Sequence, residues 1–175
     1  MTRAPLDASD PHRAAALKRK VLGRLTDMSR HYRALGAAMN ELDEGFSRER
    51  FVAAVRSEDP STLNRVKAIE RGPDQLFNYV AELSAQGLEL AGLRAPEAAP
   101  KARNDLRELH EVGVIDESLC EQLVRIAGIR NRMVHDYVEV SGDDVYEAVR
   151  VLHVALPHYI DAYQEWVRAG FAAQL

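Results

Sequence analysis

Cysteine is almost missing. Cys120 is the only one among 175 residues, which excludes an internal disulfide and suits a reducing compartment. Set between Leu119 and Leu123, its thiol reads as buried. Long apolar runs are missing too: none approaches the ~18 residues of a membrane-crossing helix, and residues 1–10 hold no signal-peptide core. The expectation from these absences is a cytoplasmic chain with no membrane partner. No glycine-rich phosphate loop, nucleophile elbow or dinucleotide fingerprint occurs, which removes the usual nucleotide-binding and hydrolase readings. Repeats and low-complexity tracts are also lacking. A net charge of −4 speaks against a general nucleic-acid coat protein. His153 and His158 lie five positions apart with no carboxylate pair at ligand spacing, so they read as a helix face. No metal site and no cofactor are expected.

What the chain does have is helical periodicity. Its length, with 46% hydrophobic residues, suits one domain with a sizeable core. Asp10-Pro11 reads as an N-cap followed by proline in the first helical position. Leu17, Val21, Leu25, Met28, Tyr32, Leu35, Met39, Leu42 and Phe46 then recur in steps of four and three, the narrow apolar stripe of one long bundle helix. A short helix is predicted over 48–56, and Asp59-Pro60-Ser61 marks a break. A second long helix, 61–90, should turn Val66, Ile69, Leu76, Tyr79, Val80 and Leu83 inward. Gly72-Pro73 is predicted to kink or split it, because proline lacks the N–H donor and crowds the preceding turn. Residues 91–100 read as a loop, 101–111 as a helix carrying Leu106 and Leu109, and 116–136 as a further helix. The last helix spans about 143–169, buries Val145, Val149, Leu152, Leu156, Tyr159, Ile160, Tyr163 and Trp166, and should kink at Pro157. Ser141-Gly142-Asp143-Asp144 supplies its N-cap and an acidic first turn. The fold expected is an all-α antiparallel bundle of four to five main helices: a flexible N-terminus, 1–10, then a single domain, 11–170.

Positive charge is unevenly placed. Arg13, Lys18, Arg19, Lys20, Arg24, Arg30 and Arg33 share their stretch with one acid, Asp27, and Arg125, Arg130 and Arg132 form a second group. Each group is either a solvated helix face or a local guide for RNA phosphates.

The second group belongs to the most informative stretch, Arg130-Asn131-Arg132-Met133-Val134-His135-Asp136-Tyr137. Arg130 and Tyr137, seven apart, are nearly eclipsed on a helix, whereas His135 lies off that line. The three converge best if the helix ends or loosens near His135, and the β-branched run that follows favours such an end. A guanidinium grips two phosphate oxygens at once and stays charged at any workable pH. An imidazole accepts or donates a proton near neutrality. With the 2′-hydroxyl as internal nucleophile, RNA is cut without a metal: a base takes the hydroxyl proton and a cation stabilises the crowded phosphorane. One histidine per chain falls short of two proton-transfer groups, so the chemistry argues for a homodimer that joins two motifs. The plainer alternative is a histidine near a helix end with ordinary surface Arg and Tyr neighbours.

Residues 127–137, Ala-Gly-Ile-Arg-Asn-Arg-Met-Val-His-Asp-Tyr, closely resemble the core motif of HEPN proteins, in particular the HepT-like toxins. Residues 109–116 resemble the apolar turn before that motif helix, and 141–146 the entry into the family's last helix. The resemblance is strongest over 101–150 and extends plausibly from Ser61. It implies an all-α HEPN bundle that dimerises around the motif and cuts RNA without metal, as the toxin half of a toxin–antitoxin module. Arg130 and His135 would be the catalytic pair, and Asn131 fills a position where the family favours a polar residue. Arg132 would support phosphate binding. Tyr137 would accept AMP from a cognate minimal nucleotidyltransferase antitoxin, which silences the nuclease. Two rivals stand beside this reading: a non-catalytic HEPN adaptor that binds a nucleotide or protein partner in the same groove, and a helical scaffold in which Arg130 and Tyr137 only make a structural network.

Overall fold

The computed structural model describes residues 10–42, 45–95, 99–135 and 141–171, with 131–135 as backbone alone. Among the described residues there are six helices and no strand: α1 (Pro11–Leu42), α2 (Arg48–Val55), α3 (Pro60–Leu90), α4 (Ala102–Glu111), α5 (Glu117–His135) and α6 (Gly142–Arg168). Four are long; α2 and α4 have 8 and 10 residues. The architecture is all-α, as the periodicity predicts. None of these helices is long and apolar enough to cross a membrane. The predicted flexible N-terminus, apart from Asp10, lies outside the described residues.

Local capping sets the helix starts. The Asp10 carboxylate accepts from the Arg13 N–H at 3.0 Å ahead of Pro11. Asp59 accepts from the Thr62 N–H at 2.8 Å ahead of Pro60. Ser141 accepts from the Asp144 N–H at 3.2 Å. Each side chain satisfies a backbone donor that the first helical turn leaves unpaired, an effect of typically ~1 kcal/mol.

α1 and α3 run antiparallel, because Arg13 reaches Glu89, Arg24 reaches Glu82 and Arg65 reaches Glu41. The α1 stripe buries Val21, Leu25, Met28, Leu35 and Met39 as its spacing predicts. Phe46 is buried too, but not as a continuation of the helix. Gly45, at φ 134°, turns the chain, and Phe46, at φ 45°, drops its ring against Phe51 and Tyr146.

The predicted break at Gly72-Pro73 does not split α3, which runs continuously through Pro73. Ile69, Leu76, Phe77 and Val80 are buried on both sides of it, and that packing outweighs one missing N–H···O=C bond. Gly72 has its own packing role: a Cβ there would lie 2.8 Å from Leu35 Cδ1, so its absence lets α1 approach. Phe77, rather than Tyr79, takes the fully buried place. Tyr79 is half-buried beneath the Arg24 guanidinium, 5.6 Å from the ring centroid.

α6 packs on α3 through tyrosines whose hydroxyls bond to the facing backbone. Tyr159 Oη lies 3.0 Å from Ser84 Oγ and 3.3 Å from the Val80 carbonyl, and Tyr163 donates to the Leu83 carbonyl at 2.6 Å. Burial pushes both phenols well above their ordinary pKa, so they stay neutral donors. Pro157 lies within α6 without ending it. Cys120 is buried as expected, its thiol turned toward the Leu106 carbonyl at 3.5 Å, and desolvation raises its pKa.

Candidate active site

The residues around Arg130 are set by the start of α5. α4 closes at Gly113, whose φ of 78° suits a glycine, with the Val114 N–H bonded to the Leu109 carbonyl at 2.9 Å. His110 Nδ1 lies 3.2 Å from the Ile115 carbonyl across the same turn. Asp116 then caps α5 through the Leu119 N–H at 2.7 Å. From there Leu119, Cys120, Leu123, Ile126 and Ala127 face the core. Arg130, seven residues after Leu123, continues that buried face to the rim of the bundle.

At the rim Arg130 meets α3. Its Nε donates to Asp74 Oδ1 at 2.7 Å, and the second carboxylate oxygen lies 3.5 Å from Asn78 Nδ2. The pair is partly open to solvent, with side-chain exposures of 29% and 46%. Such a pair contributes only about 0–1 kcal/mol to stability, so its main consequence is orientation. Among the described residues nothing else bonds to the guanidinium, and Asp74 takes Nε rather than the Nη1–Nη2 edge.

Sequence reasoning did not find Asp74. It lies fifty-six positions from Arg130 and belongs to no local pattern. Arg103 was also missed: the tip of this exposed α4 side chain lies beside Gly128 of the motif helix, its Nη2 3.2 Å from where a Cβ would be.

In both basic groups some of the cations are paired with acids. In the first, Arg13 pairs with Glu89 at 2.7 Å, Arg24 with Glu82 at 2.9 Å and Arg30 with Asp27 at 2.9 Å. Acids of α3, far away in sequence, neutralise cations that look unopposed along α1. In the second, Arg125 is tied to Glu147 of α6. His153 is not a simple surface residue either. It is half-buried and stacked on Tyr32 at 5.1 Å between centroids, and burial lowers its pKa.

A groove of about 550 Å³ opens on another flank of α5, between α2 and α6, lined by Gln122, Arg125, Tyr146, Glu147 and the exposed Val154. Arg130 is not among its lining residues.

The family model described as "Ribonuclease HepT-like" matches residues 39–163. The chain belongs to the HepT-like ribonuclease family. The match takes in α2 to α5 and most of α6, and it reaches upstream of Ser61, where the motif resemblance weakens. Most of α1 lies outside it. No curated protein and no solved structure matches the chain significantly.

In this HepT-like chain the motif falls at the end of α5. Arg130 is placed as described. Asn131, Arg132 and His135 belong to the last turns of the helix, and their side chains lie outside the described residues, as does Tyr137 altogether. Five helical steps set the His135 backbone about 7.5 Å beyond Arg130 along the axis.

Proposed function

We propose that the chain is a metal-independent endoribonuclease, the toxin half of a toxin–antitoxin pair, acting as a homodimer on RNA. The observation that carries this reading is Arg130. It sits at the rim of the bundle with its Nε tied to Asp74, among the described residues nothing bonds to its Nη1–Nη2 edge, and its helix, Glu117–His135, also carries His135.

In the reaction, His135 of one protomer takes the proton from a 2′-hydroxyl. O2′ attacks the adjacent phosphorus, so the O2′–P bond forms and the P–O5′ bond breaks. A protonated His135 from the second protomer gives its proton to the leaving O5′. The products are a 2′,3′-cyclic phosphate and a 5′-hydroxyl. Arg130 spans two non-bridging oxygens as charge gathers on the phosphorane, where a preorganised cation stabilises the transition state most. Asn131 and Arg132 hold the flanking backbone. The chemistry uses the substrate's own hydroxyl, so a metal-activated water has no role in it.

Control falls to Tyr137. Its hydroxyl attacks the α-phosphorus of ATP held by a cognate minimal nucleotidyltransferase, and pyrophosphate leaves. The new phosphodiester brings negative charge and a bulky base to the place where the RNA phosphate must bind.

The test is cleavage of single-stranded RNA in the presence of EDTA, with the product ends identified. Cyclic-phosphate ends are expected, and His135→Ala should lose about 10²–10⁴-fold in rate, the usual loss for one acid/base group. Purified His135→Ala that cuts as fast as wild type overturns the assignment.

A further inference from the structure

We propose that Asp74 is a positioning residue for RNA cleavage. It holds the Arg130 guanidinium by Nε so that the Nη1–Nη2 edge meets the scissile phosphate. The proposal rests on the ribonuclease reading above and adds to it the residue that aims the cation.

The geometry is specific. A guanidinium offers a carboxylate either the side edge, through Nε, or the end edge, through the two Nη atoms. Asp74 takes Nε with a single oxygen at 2.7 Å, so it restricts the swing of the group without occupying the end edge. A phosphate is gripped best by two parallel N–H donors, and the end edge keeps such a pair. An arginine free to swing would present that edge only part of the time, and small misplacements of a catalytic group cost rate steeply.

Asp74 is itself held. Asn78, one turn along α3, lies 3.5 Å from its other oxygen. Two residues before it, Gly72 packs against the Leu35 side chain of α1, which would have to shift to admit a Cβ. Pro73, buried between the two, fixes one backbone angle in the same turn. The turn that carries Asp74 thus packs on α1, while its carboxylate reaches α5.

A positioning role differs from a structural one in kinetics. Removing the carboxylate leaves Arg130 charged and removes a like charge from the neighbourhood of the RNA, so substrate binding should be unchanged or tighter. The loss should fall on the chemical step. Asp74→Ala is therefore expected to lower kcat by about 10–100-fold with KM equal to or below that of wild type. Asp74→Glu, which restores a carboxylate, should recover part of the rate. In an Arg130→Ala background, Asp74→Ala should cause no further loss, because Asp74 acts through Arg130. The Arg130 Nε–Hε signal in ¹⁵N NMR should be sharp and protected from exchange in wild type and should lose that protection in Asp74→Ala.

The half-exposed site makes folding of these variants a safe requirement, checked by the helical circular dichroism signal. Wild type that cleaves while Asp74→Ala cleaves equally well overturns the role of Asp74 and leaves the ribonuclease reading standing. The same holds for an additive loss in the Arg130→Ala background. Wild type that leaves RNA intact overturns the ribonuclease reading, and with it any role for Asp74 in cleavage; the NMR signal then reports the ion pair alone.

Discussion

Gly87 of α3 and Trp166 of α6 approach so closely that a Cβ on the glycine would lie 2.4 Å from Trp166 Cζ3 and 2.6 Å from the Tyr163 hydroxyl. The indole has no retreat, since Tyr163 and Phe171 pack edge-on against it at 5.6 and 5.1 Å between centroids. Gly87→Ala should therefore destabilise the bundle by about 1–3 kcal/mol despite alanine's better helix propensity. Urea unfolding checks it, and a midpoint equal to wild type contradicts the packing argument.

Arg94 and Asp105 form the most buried ion pair described, with side-chain exposures of 9% and 3%. Asp105 also accepts the Lys101 N–H at 2.8 Å, and Arg94 donates to the Ala99 carbonyl, so the pair ties the connection after α3 to the start of α4. Asp105→Ala leaves a cation without its buried partner and should cost about 3–5 kcal/mol. Replacing both residues, as in Arg94→Met with Asp105→Leu, should cost less than the sum of the two single changes in the same unfolding assay.

His153 predicts an acid-side weakness. Burial against Tyr32 lowers its pKa below the ordinary 6.5, and its buried Nδ1 has no hydrogen-bond partner among the described residues. The unfolded chain then binds more protons than the folded one at pH values between the folded pKa and 6.5. Its contribution to stability is complete above 6.5 and is lost as pH falls toward the folded value. The melting temperature should decline as pH is taken down through that window, and His153→Phe should remove part of the decline. An identical pH profile in the variant would refute this.

Arg130→Lys keeps the charge and loses both the two-donor fork and the Nε contact to Asp74. RNA binding should persist with a similar salt dependence, while the cleavage rate falls about 10²–10³-fold. Filter binding and single-turnover cleavage, measured on the same preparation, separate the two effects.

Tyr137→Phe should remain active in the presence of the cognate nucleotidyltransferase and ATP, whereas wild type is silenced. Intact-mass spectrometry should show increments of ~329 Da, one per AMP, on wild type alone, as expected for covalent addition to a hydroxyl. The same increment on Tyr137→Phe would place the modification elsewhere.

The chain's local chemistry is legible wherever cause and effect lie within a few residues. Asp10 and Ser141 each cap the helix that starts beside them, and the α1 stripe buries Val21, Leu25, Met28, Leu35 and Met39 as its spacing requires. The motif around Arg130 carries the family resemblance within a few residues, and the family match over 39–163 agrees with it. The split at Gly72-Pro73 misled for the same reason that the caps did not. A local rule counts the lost N–H bond but not the apolar burial that α1, α5 and α6 supply around α3.

Fold class, helix starts and the motif thus follow from the sequence by itself, because hydrophobic period, capping and side-chain chemistry act over one or two turns. Which charge meets which was decided only in three dimensions. Arg13 and Arg24 look like open basic residues until α3 folds back antiparallel and sets Glu89 and Glu82 opposite them. Asp74 is an unremarked acid after a proline until α3 and α5 pack and bring its carboxylate to Arg130. Ion pairs at such separations depend on helix register and crossing, and those are set by how a whole core packs.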